Sequence, residues 1–376
     1  MRRLGILGGG QLAQMTIQAA ISLGVETAIF ERFADSPASR LTHHTIVGDW
    51  QDRHALEQFA KLCDVITLEN EFVDASVLQK LVELGVPVYP TAETLAQVQD
   101  KLIQKTTMQQ AGIPVPRFCG VETPDDVVTA AAEIGYPLLL KARRDGYDGY
   151  GNVTIHSPQD IPAAWEKLTA KGRKLLIEAF VPFVRELAVM VVRGRNGETQ
   201  VYPLVETIQH NHVCHVVRAP AHVSSIVADK AADIALKAVE AIDGVGVFGV
   251  ELFELENGDV VYNEIAPRPH NSGHYTIEAC ITSQFENHIR AVMGWHLGIT
   301  DLVKPAAVMV NILGTKQGDV PADIVVPALE IPGAHVHLYG KKQVRPGRKM
   351  GHVTLIGNDI PNLEKLARQA VDVIGL

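Results

Sequence analysis

The side chains best suited to chemistry lie in residues 248–274, FGVELFELENGDVVYNEIAPRPHNSGH. Asn257 and Gly258 stand between two alternating apolar runs, which predicts a β-hairpin whose two-residue turn needs positive φ at both positions. In that register Glu251 lies opposite Glu264, and both carboxylates share one face of the sheet. Two adjacent carboxylates repel each other without a cation, whereas Mg²⁺ takes one or two carboxylates together with water and phosphate oxygens. The hairpin therefore predicts a magnesium site; the alternative is an edge hairpin whose glutamates face water.

Three further segments are candidates for binding phosphate groups. The first is GGGQLA, residues 8–13, which lies between a predicted strand and a predicted helix and fits the pattern G-x-G-x-x-A. Glu31 ends the next strand about twenty residues on, as the dinucleotide fingerprint requires. This segment predicts an NAD site or, because N–H groups at a helix start bind any phosphate, a site for another phosphate.

The second segment is the glycine-rich sequence RRDGYDGYGN, residues 143–152. It lacks the G-x-x-x-x-G-K-[ST] pattern of a P-loop, but its glycines would let it close over a triphosphate. Lys141 ends the apolar run before it, and Glu178 interrupts a later apolar run, where a charge needs a partner or a route to water. Both positions would be explained if Lys141 bound phosphates and Glu178 bound a ribose or an amine. The alternative is a long hairpin loop with strand-end residues that reach solvent.

The third segment is KKQVRPGRKMGH, residues 341–352, with five Lys/Arg and no acidic residue in a chain of formal net charge -9. Such a cluster suits a phosphate monoester, and a solvated basic turn is the alternative. Arg268 follows Glu264 closely and would stabilise a transferring phosphoryl group beside the predicted metal. The polar side chains next to it are Asn271, Ser272 and His274.

The bulk properties are those of a soluble globular protein, with 376 residues, 47% of them hydrophobic and 20% charged, and they predict two or three domains. No apolar run approaches the roughly 18 residues that cross a membrane. The start, MRRLGILGGGQ, is too short in its apolar part for a signal peptide. We therefore expect a cytoplasmic protein without membrane contact. The negative net charge argues against general nucleic-acid binding.

The cysteines and histidines show no pattern of a metal site. The 4 cysteines are far apart and form no CxxC, which predicts buried thiols rather than disulfides or zinc ligands. The 15 histidines are scattered and form no HEXXH. The pair His43-His44 and the group of His210, His212 and His215 could suggest a transition metal, but we interpret them as surface or ladder residues.

Strands and helices alternate over residues 4–90, which is typical of βαβ units around a parallel sheet. The predicted strands are LGIL, TAIF, VITLE and VPVY, with helices over residues 11–23 and 75–84. A single helix over residues 93–111 ends at Gly112 and marks a domain boundary. The predicted domains are residues 1–112, residues 113–300 with a mobile subdomain at about 113–185, and residues 301–376.

A lysine strand, a glycine loop and the hairpin VELF…YNEIAPR together resemble the ATP-grasp ligases. The motifs GGGQLAQM, GDW, RDGYDGYGN, NEIAPRPHNSGH, TSQFENH and RPGRKMGH resemble one family of them over residues 3–355, the N5-carboxyaminoimidazole ribonucleotide synthetases of purine biosynthesis. The resemblance implies an ATP-grasp fold of mixed α/β and α+β type. It implies an N-terminal Rossmann-like domain with a parallel sheet, a small C-terminal domain and a homodimer.

The resemblance also implies a reaction in which ATP phosphorylates bicarbonate to carboxyphosphate. That intermediate, or CO₂ released from it, then carboxylates the N5 amine of aminoimidazole ribonucleotide, and ADP and phosphate are released. The physical requirements agree with the residues present. Phosphoryl transfer needs positioned oxygens and neutralised charge, and a labile acyl phosphate needs a site that excludes water.

Residue roles follow from the resemblance by matching position. Mg²⁺, with Mn²⁺ as an alternative, would be held by Glu251 and Glu264. ATP would be bound by Lys101, Lys141, Gly146, Tyr147, Asp148, Gly149, Tyr150, Gly151, Glu178, Ala179, Phe180, Val181, Glu186, Gln209, Asn263 and Glu264. The ribonucleotide would be bound by Gln11, Leu12, Glu69, Asn271, Ser272, Lys342, Arg345, Arg348 and Lys349. The catalytic residues would be Arg268, Asp148, Tyr147 and Lys349, with Arg268 stabilising carboxyphosphate.

Three positions depart from the family pattern. Tyr150 stands where the glycine loop usually has a basic residue, and Gln209 stands where a histidine is common. Leu68 stands where the first-domain motif T-[YF]-E-x-E usually has an aromatic residue, although both glutamates of that motif are kept, as Glu69 and Glu71. Three other functions stay open: an ATP-grasp ligase or transferase for another acid or ribonucleotide, an NAD-dependent oxidoreductase, and a catalytically silent binding protein. The NAD hypothesis leaves residues 137–274 unexplained.

Overall fold

The computed structural model describes residues 2–146, 151–170 and 172–376. The N-terminal unit contains β1 (Arg3–Leu7), α1 (Gln11–Ser22), β2 (Glu26–Glu31), β3 (His44–Val47), α2 (Arg53–Leu62), β4 (Val65–Leu68), α3 (Ala75–Glu83), α4 (Ala92–Gln99) and α5 (Lys101–Gln110). Its strands form a parallel sheet of order β3-β2-β1-β4. This arrangement confirms the predicted βαβ organisation.

Two predicted elements of this unit were wrong. VPVY is not a strand: only Val88 pairs, in an isolated parallel bridge with Ile66, because Pro87 has no N–H to donate to a ladder. The single helix predicted over residues 93–111 is two helices, α4 and α5. Asp100 leaves the helical conformation between them and caps α5 by accepting hydrogen bonds from its first turn.

A second unit is a small antiparallel sheet with two helices. Its elements are β5 (Phe118–Val121), α6 (Pro124–Ile134), β6 (Leu138–Ala142), β7 (Asn152–Ile155), α7 (Ile161–Thr169) and β8 (Leu175–Ala179). The strand order is β5-β8-β6-β7, and β6 and β7 flank the glycine-rich segment. Glu178 pairs directly with Leu139 across this sheet, so Lys141, two residues further, lies diagonally from Glu178 on the same face.

The remaining chain builds a sheet in which nine of the described strands take part. Its elements are β9 (Phe183–Arg193), β10 (Thr199–Val201), β11 (Val205–His210), β12 (Val213–Ala219), α8 (Ser225–Ala241), β13 (Gly246–Leu255), β14 (Val260–Ala266), α9 (Thr276–Ala279), α10 (Gln284–Met293), β15 (Ala306–Leu313), β16 (Gly318–Asp319), α11 (Val326–Leu329), β17 (His335–Leu338), β18 (Gln343–Val344), β19 (Lys349–Gly357) and α12 (Ile360–Ile374). The sheet order is β14-β13-β9-β11-β12-β15-β19-β17, with β10 on β9 and a separate β16-β18 pair. Because β12 pairs with β15, the sheet continues from the central region into the C-terminal segment.

The hairpin β13–β14 places Glu251 opposite Glu264, as predicted, but its turn differs. Leu255 pairs with Asp259, and of the turn residues only Gly258 has positive φ, at 75°. This three-residue loop shifts the register by one residue near the turn. An irregularity between Glu251 and Leu252 restores the predicted pairing further along.

The N-terminal sheet is held to the rest of the chain by α10. Ile289 and Val292 of α10 join the apolar cluster that covers one face of this sheet, while α2 and α3 cover the other. His288 on the same helix lies 2.8 Å from Thr67 Oγ1 through Nε2 and accepts a hydrogen bond from Val247 N at 3.0 Å. Burial lowers the pKa of His288 to about 3, so a neutral imidazole joins β4 to β13.

All four cysteines lie in the described part of the chain and form no disulfide; Cys214 and Cys280 are buried, as predicted, whereas Cys63 and Cys119 are half-buried. Among the described helices, none has the length and apolar character needed to span a membrane.

Candidate active site

Two cavities meet at the hairpin carboxylates. The first, of about 490 Å³, extends from the start of α1 to the hairpin. The second, of about 390 Å³, lies between the small antiparallel sheet and the large sheet. Glu251, Glu264, Lys101 and Lys349 line both. A molecule bound in either cavity would therefore reach the carboxylate pair.

The carboxylate pair is electrostatically unequal. Burial, followed by the charge of Glu264, raises the pKa of Glu251 to about 8. Burial also acts to raise the pKa of Glu264, but the adjacent ammonium of Lys101, which donates a hydrogen bond to it, lowers the value to about 2. Asn263 Nδ2 donates weakly to Glu251 at 3.4 Å, and His270 Nε2 lies 3.6 Å from the same carboxylate. Near neutral pH the pair thus holds one proton in place of a second negative charge.

A divalent cation fits this pair, because it would replace the proton and relieve the repulsion between the carboxylates. Within the described part of the chain, no group of three His, Cys, Asp or Glu side chains is arranged to hold a metal. The predicted transition-metal alternative at His210, His212 and His215 therefore has no support there. A cation at Glu251 and Glu264 would take its other ligands from water and from phosphate oxygens.

A buried lysine–glutamate cluster lies behind Lys141, which lines the second cavity, whereas Glu178 itself lines neither cavity. Lys141 Nζ lies 3.2 Å from Glu178 Oε2, which brings these two predicted residues together. Lys105 Nζ lies 3.0 Å from the same oxygen and donates to Asn263 O at 3.1 Å. The sequence reasoning missed Lys105. Its signal was the spacing from Lys101, since residues four apart share one face of a helix.

The rim of the second cavity is aromatic and acidic. Phe183 and Phe253 stack with ring centroids 4.7 Å apart, and both line the cavity together with Phe180. Burial raises the pKa of Glu186 to about 7, against the hydrogen bond from Gln209. Ala179 is the last residue of β8. Val181, two residues further along the chain, lines neither cavity.

The glycine-rich loop is anchored at its first residues. Arg143 donates to both carboxylate oxygens of Asp100, at 2.9 and 2.7 Å. Gly146 and Gly151 line the second cavity. The predicted roles of the intervening residues fall outside the described chain: Tyr147, Asp148, Gly149 and Tyr150.

The glycine turn before α1 is closed by carboxylates. Glu69 accepts hydrogen bonds from Gly10 N at 3.0 Å and Ala13 N at 3.4 Å, and Glu31 accepts one from Gly9 N at 2.7 Å. A Cβ on Gly10 would stand 2.6 Å from Glu69 Oε1, so a larger residue there would displace the carboxylate that closes the turn. The backbone N–H groups that a dinucleotide phosphate would need already donate to these two carboxylates. This argues against the NAD alternative. Lining the first cavity nearby are Gln11, Leu12 and Glu69.

Arg268 is held in the first cavity by an acid that was not in the predicted site. Glu71 accepts from both Arg268 Nη2, at 2.6 Å, and Arg268 Nε. Such a two-point ion pair fixes the plane of the guanidinium. Beyond it, Asn271 Nδ2 donates to Asn311 Oδ1 at 2.9 Å, and Ser272 Oγ lies 2.8 Å from His270 Nδ1.

The basic turn divides into inward and outward residues. Lys349 lines both cavities, and Lys341 Nζ donates to its carbonyl at 2.6 Å. Lys342, Arg345 and Arg348 line neither cavity. Lys342 lies 2.6 Å from Asp35 Oδ2, and Arg348 donates to a carbonyl of the turn.

An antiparallel sheet with a buried lysine–glutamate pair, opposed across a cavity to a larger sheet with a carboxylate hairpin, defines an ATP-grasp ligase. Family models agree: the ATP-grasp domain matches residues 106–285, and the ribonucleotide synthetase preATP-grasp domain matches residues 1–99. The phosphoribosylaminoimidazole carboxylase C-terminal domain matches residues 307–366. The chain belongs to the N5-carboxyaminoimidazole ribonucleotide synthase family.

Relatives support this membership over nearly the whole chain. The N5-carboxyaminoimidazole ribonucleotide synthase of Mycobacterium tuberculosis is 40% identical, over 98% of this chain and 86% of its own. The phosphoribosylaminoimidazole carboxylase of Schizosaccharomyces pombe is 43% identical, over 98% of this chain but only 68% of its own length; for a similar plant carboxylase, from Vigna aconitifolia, that share is 65%.

Solved structures agree with the fold. The carboxyaminoimidazole ribonucleotide synthase of Aspergillus clavatus, solved with ATP, is 40% identical with a TM-score of 0.91, over 99% of this chain and 98% of its own. The same enzyme has been solved with ADP and 5-aminoimidazole ribonucleotide, with a TM-score of 0.91 over the same shares of both chains.

Proposed function

We propose that the protein carboxylates 5-aminoimidazole ribonucleotide at its N5 amine in purine biosynthesis, using ATP and bicarbonate and releasing ADP and phosphate. The observation that carries this proposal is the meeting of two cavities at Glu251 and Glu264. The proposal is supported by the relative solved with both ADP and 5-aminoimidazole ribonucleotide, because the two adjoining cavities here provide room for both ligands. We assign ATP to the second cavity and the ribonucleotide to the first.

Mg²⁺, with Mn²⁺ as a substitute, is the cation that we propose for Glu251 and Glu264. The raised pKa of Glu251 beside a second carboxylate supports this assignment. When bound, the cation would neutralise charge on the phosphates of ATP during transfer.

On the nucleotide side, Lys141 would contact the polyphosphate while Glu178 holds it in place. The aromatic pair of Phe183 and Phe253 would pack against the base, because stacked rings offer a flat apolar surface. Glu186 would accept hydrogen bonds from ribose hydroxyls. The loop that contains Gly146 and Gly151 would cover the phosphates and exclude water from the acyl phosphate.

On the acceptor side, Arg268 would stabilise carboxyphosphate. Glu71 holds its guanidinium at two points, so little reorientation would be needed when charge develops. Gln11, Leu12 and Glu69 would contact the ribonucleotide, and Lys349 would lie between the two substrates. The predicted phosphate contacts of Lys342, Arg345 and Arg348 stay part of the proposal, with Asn271 and Ser272.

The family resemblance also leads us to propose that the protein is a cytoplasmic homodimer. We further propose that each chain has three domains, with boundaries at about residues 112 and 300. The limits of the three matched family models support that division.

The test is ADP release by purified protein with Mg-ATP and bicarbonate, with and without aminoimidazole ribonucleotide. We expect strong stimulation by the ribonucleotide that disappears when bicarbonate is omitted. ATP binding without such stimulation would contradict the proposed acceptor and favour a ligase for another acid or a silent binding protein. A product assay by mass spectrometry would separate those two outcomes.

A further inference from the structure

Lys105 is a buried charge to which the proposed reaction gives no role. Its side chain is 2% exposed and projects from α5 one helical turn after Lys101. Its ammonium contacts Glu178 on β8 and the carbonyl of Asn263 on β14. It also lies 5.9 Å from the ring centre of Tyr262. Burying an ammonium group to this extent costs folding free energy. A role in positioning neighbouring groups would explain why the charge is kept there.

Lys105 and Lys141 share a single carboxylate oxygen. Both ammonium groups approach Glu178 Oε2, at 3.0 and 3.2 Å, and the carboxylate is 1% exposed. Its other oxygen, Oε1, is buried without a hydrogen-bond partner among the described residues. The cluster therefore contains two positive charges and one negative charge, so its net charge is positive.

The surplus positive charge faces the second cavity through Lys141, which is 13% exposed and lines that cavity. If Glu178 had only Lys141 as a partner, the pair would be neutral, and the carboxylate could draw the ammonium away from a phosphate. Lys105 supplies a competing partner from behind. Burial, opposed by Glu178, lowers the pKa of Lys105 to about 8, which leaves it mostly charged near neutral pH.

We propose that Lys105 is a positioning residue for ATP: it shares Glu178 with Lys141 and so keeps the Lys141 ammonium available to the polyphosphate. The contact with Asn263 O fixes the same lysine to the strand that carries Glu264. Lys105 does not line either cavity, so it acts through Lys141 and Glu178 rather than by touching the nucleotide. This inference rests on the proposed use of ATP.

The test compares Lys105→Met, which removes the charge at similar length, with Lys105→Gln, which also keeps a hydrogen-bond donor. Lys237→Met is the matched control, since Lys237 is 54% exposed on α8 and pairs with Asp233 four residues away. Folding is checked first by thermal unfolding, and the Gln variant carries the test if the Met variant does not fold. ATP affinity is then measured by calorimetry, and the KM of each substrate is measured in the ADP-release assay.

We expect both variants to raise the Kd and KM of ATP about tenfold, the size of effect typical for loss of one charge-assisted contact. The ribonucleotide KM should change less than about twofold, and Lys105→Arg should restore most of the ATP affinity because it keeps the charge. Unchanged ATP affinity in the Met and Gln variants, or equal rises in both KM values, would overturn the inference while the proposed function stands. A wild-type protein that does not bind ATP would overturn both.

Discussion

Metal binding at the hairpin should release a proton, and the amount follows from the carboxylate pair. Burial and the neighbouring Glu264 raise the pKa of Glu251 to about 8. A group with that pKa holds a proton in most molecules at pH 7 and in few at pH 9. A divalent cation requires both carboxylates ionised. Binding should therefore release most of one proton per cation at pH 7 and much less at pH 9.

The assay is titration of Mn²⁺ into nucleotide-free protein in weakly buffered solution, with a pH indicator to count released protons. The affinity for Mn²⁺ should also fall roughly tenfold for each pH unit below about 7, since one proton competes with the metal. Glu251→Gln should release almost no proton. Glu256→Gln serves as the matched control, because Glu256 is an exposed glutamate in the turn of the same hairpin. Equal proton release by wild type and Glu251→Gln, or none at pH 7 in wild type, would refute the reasoning.

Three further changes test other parts of the site. Glu264→Gln should abolish ATP turnover with little change in melting temperature, since it removes one of two cation ligands; normal turnover would contradict the metal assignment. Lys349→Ala should raise the ribonucleotide KM at least tenfold more than the ATP KM, and equal effects would remove its assignment to the acceptor side. Burial raises the pKa of Glu186 from its ordinary 4.5 to about 7. Between these two pH values the folded protein binds a proton that the unfolded chain has lost, so the free energy of unfolding falls as pH rises from 4.5 to 7. In Glu186→Gln that decrease should be smaller by roughly 1 kcal/mol, after allowance for solvent screening, as measured by urea unfolding at pH 5 and pH 7. An identical pH dependence in the variant would show that Glu186 is not the group responsible.

The hairpin illustrates how far local sequence rules reach. The Asn257-Gly258 signal predicted a hairpin and placed Glu251 opposite Glu264, and both are confirmed. The turn itself is longer than predicted, and an irregularity beside Glu251 compensates for it. The pattern of apolar and polar residues gives no signal for such an irregularity. It depends on the pairing of β13 with its other neighbour, β9, which holds the strand in register.

Tertiary contacts decided the parts of the site that sequence patterns missed. Lys105 and Lys101 have the spacing of a solvated helical pair, and only the tertiary structure brings Glu178 of β8 within 3.0 Å of Lys105. In the basic turn, Gly347 has a φ of 75°, and the chain reverses there. Lys349, two residues after this glycine, lines both cavities, whereas Lys342 before it is 70% exposed, and composition alone cannot separate the two lysines.

Helix α5 contacts three of the groups that we assign to the nucleotide. Its capping residue, Asp100, binds Arg143 at the start of the glycine-rich loop. Lys101 contacts Glu264, and Lys105, four residues or about 6 Å further along the axis, contacts Glu178. One rigid helix therefore contacts the start of the loop, the carboxylate pair and the glutamate that binds Lys141. A shift of α5 along its axis would alter all three contacts at once, so substitutions that loosen α5 without touching the cavities should weaken ATP binding more than ribonucleotide binding.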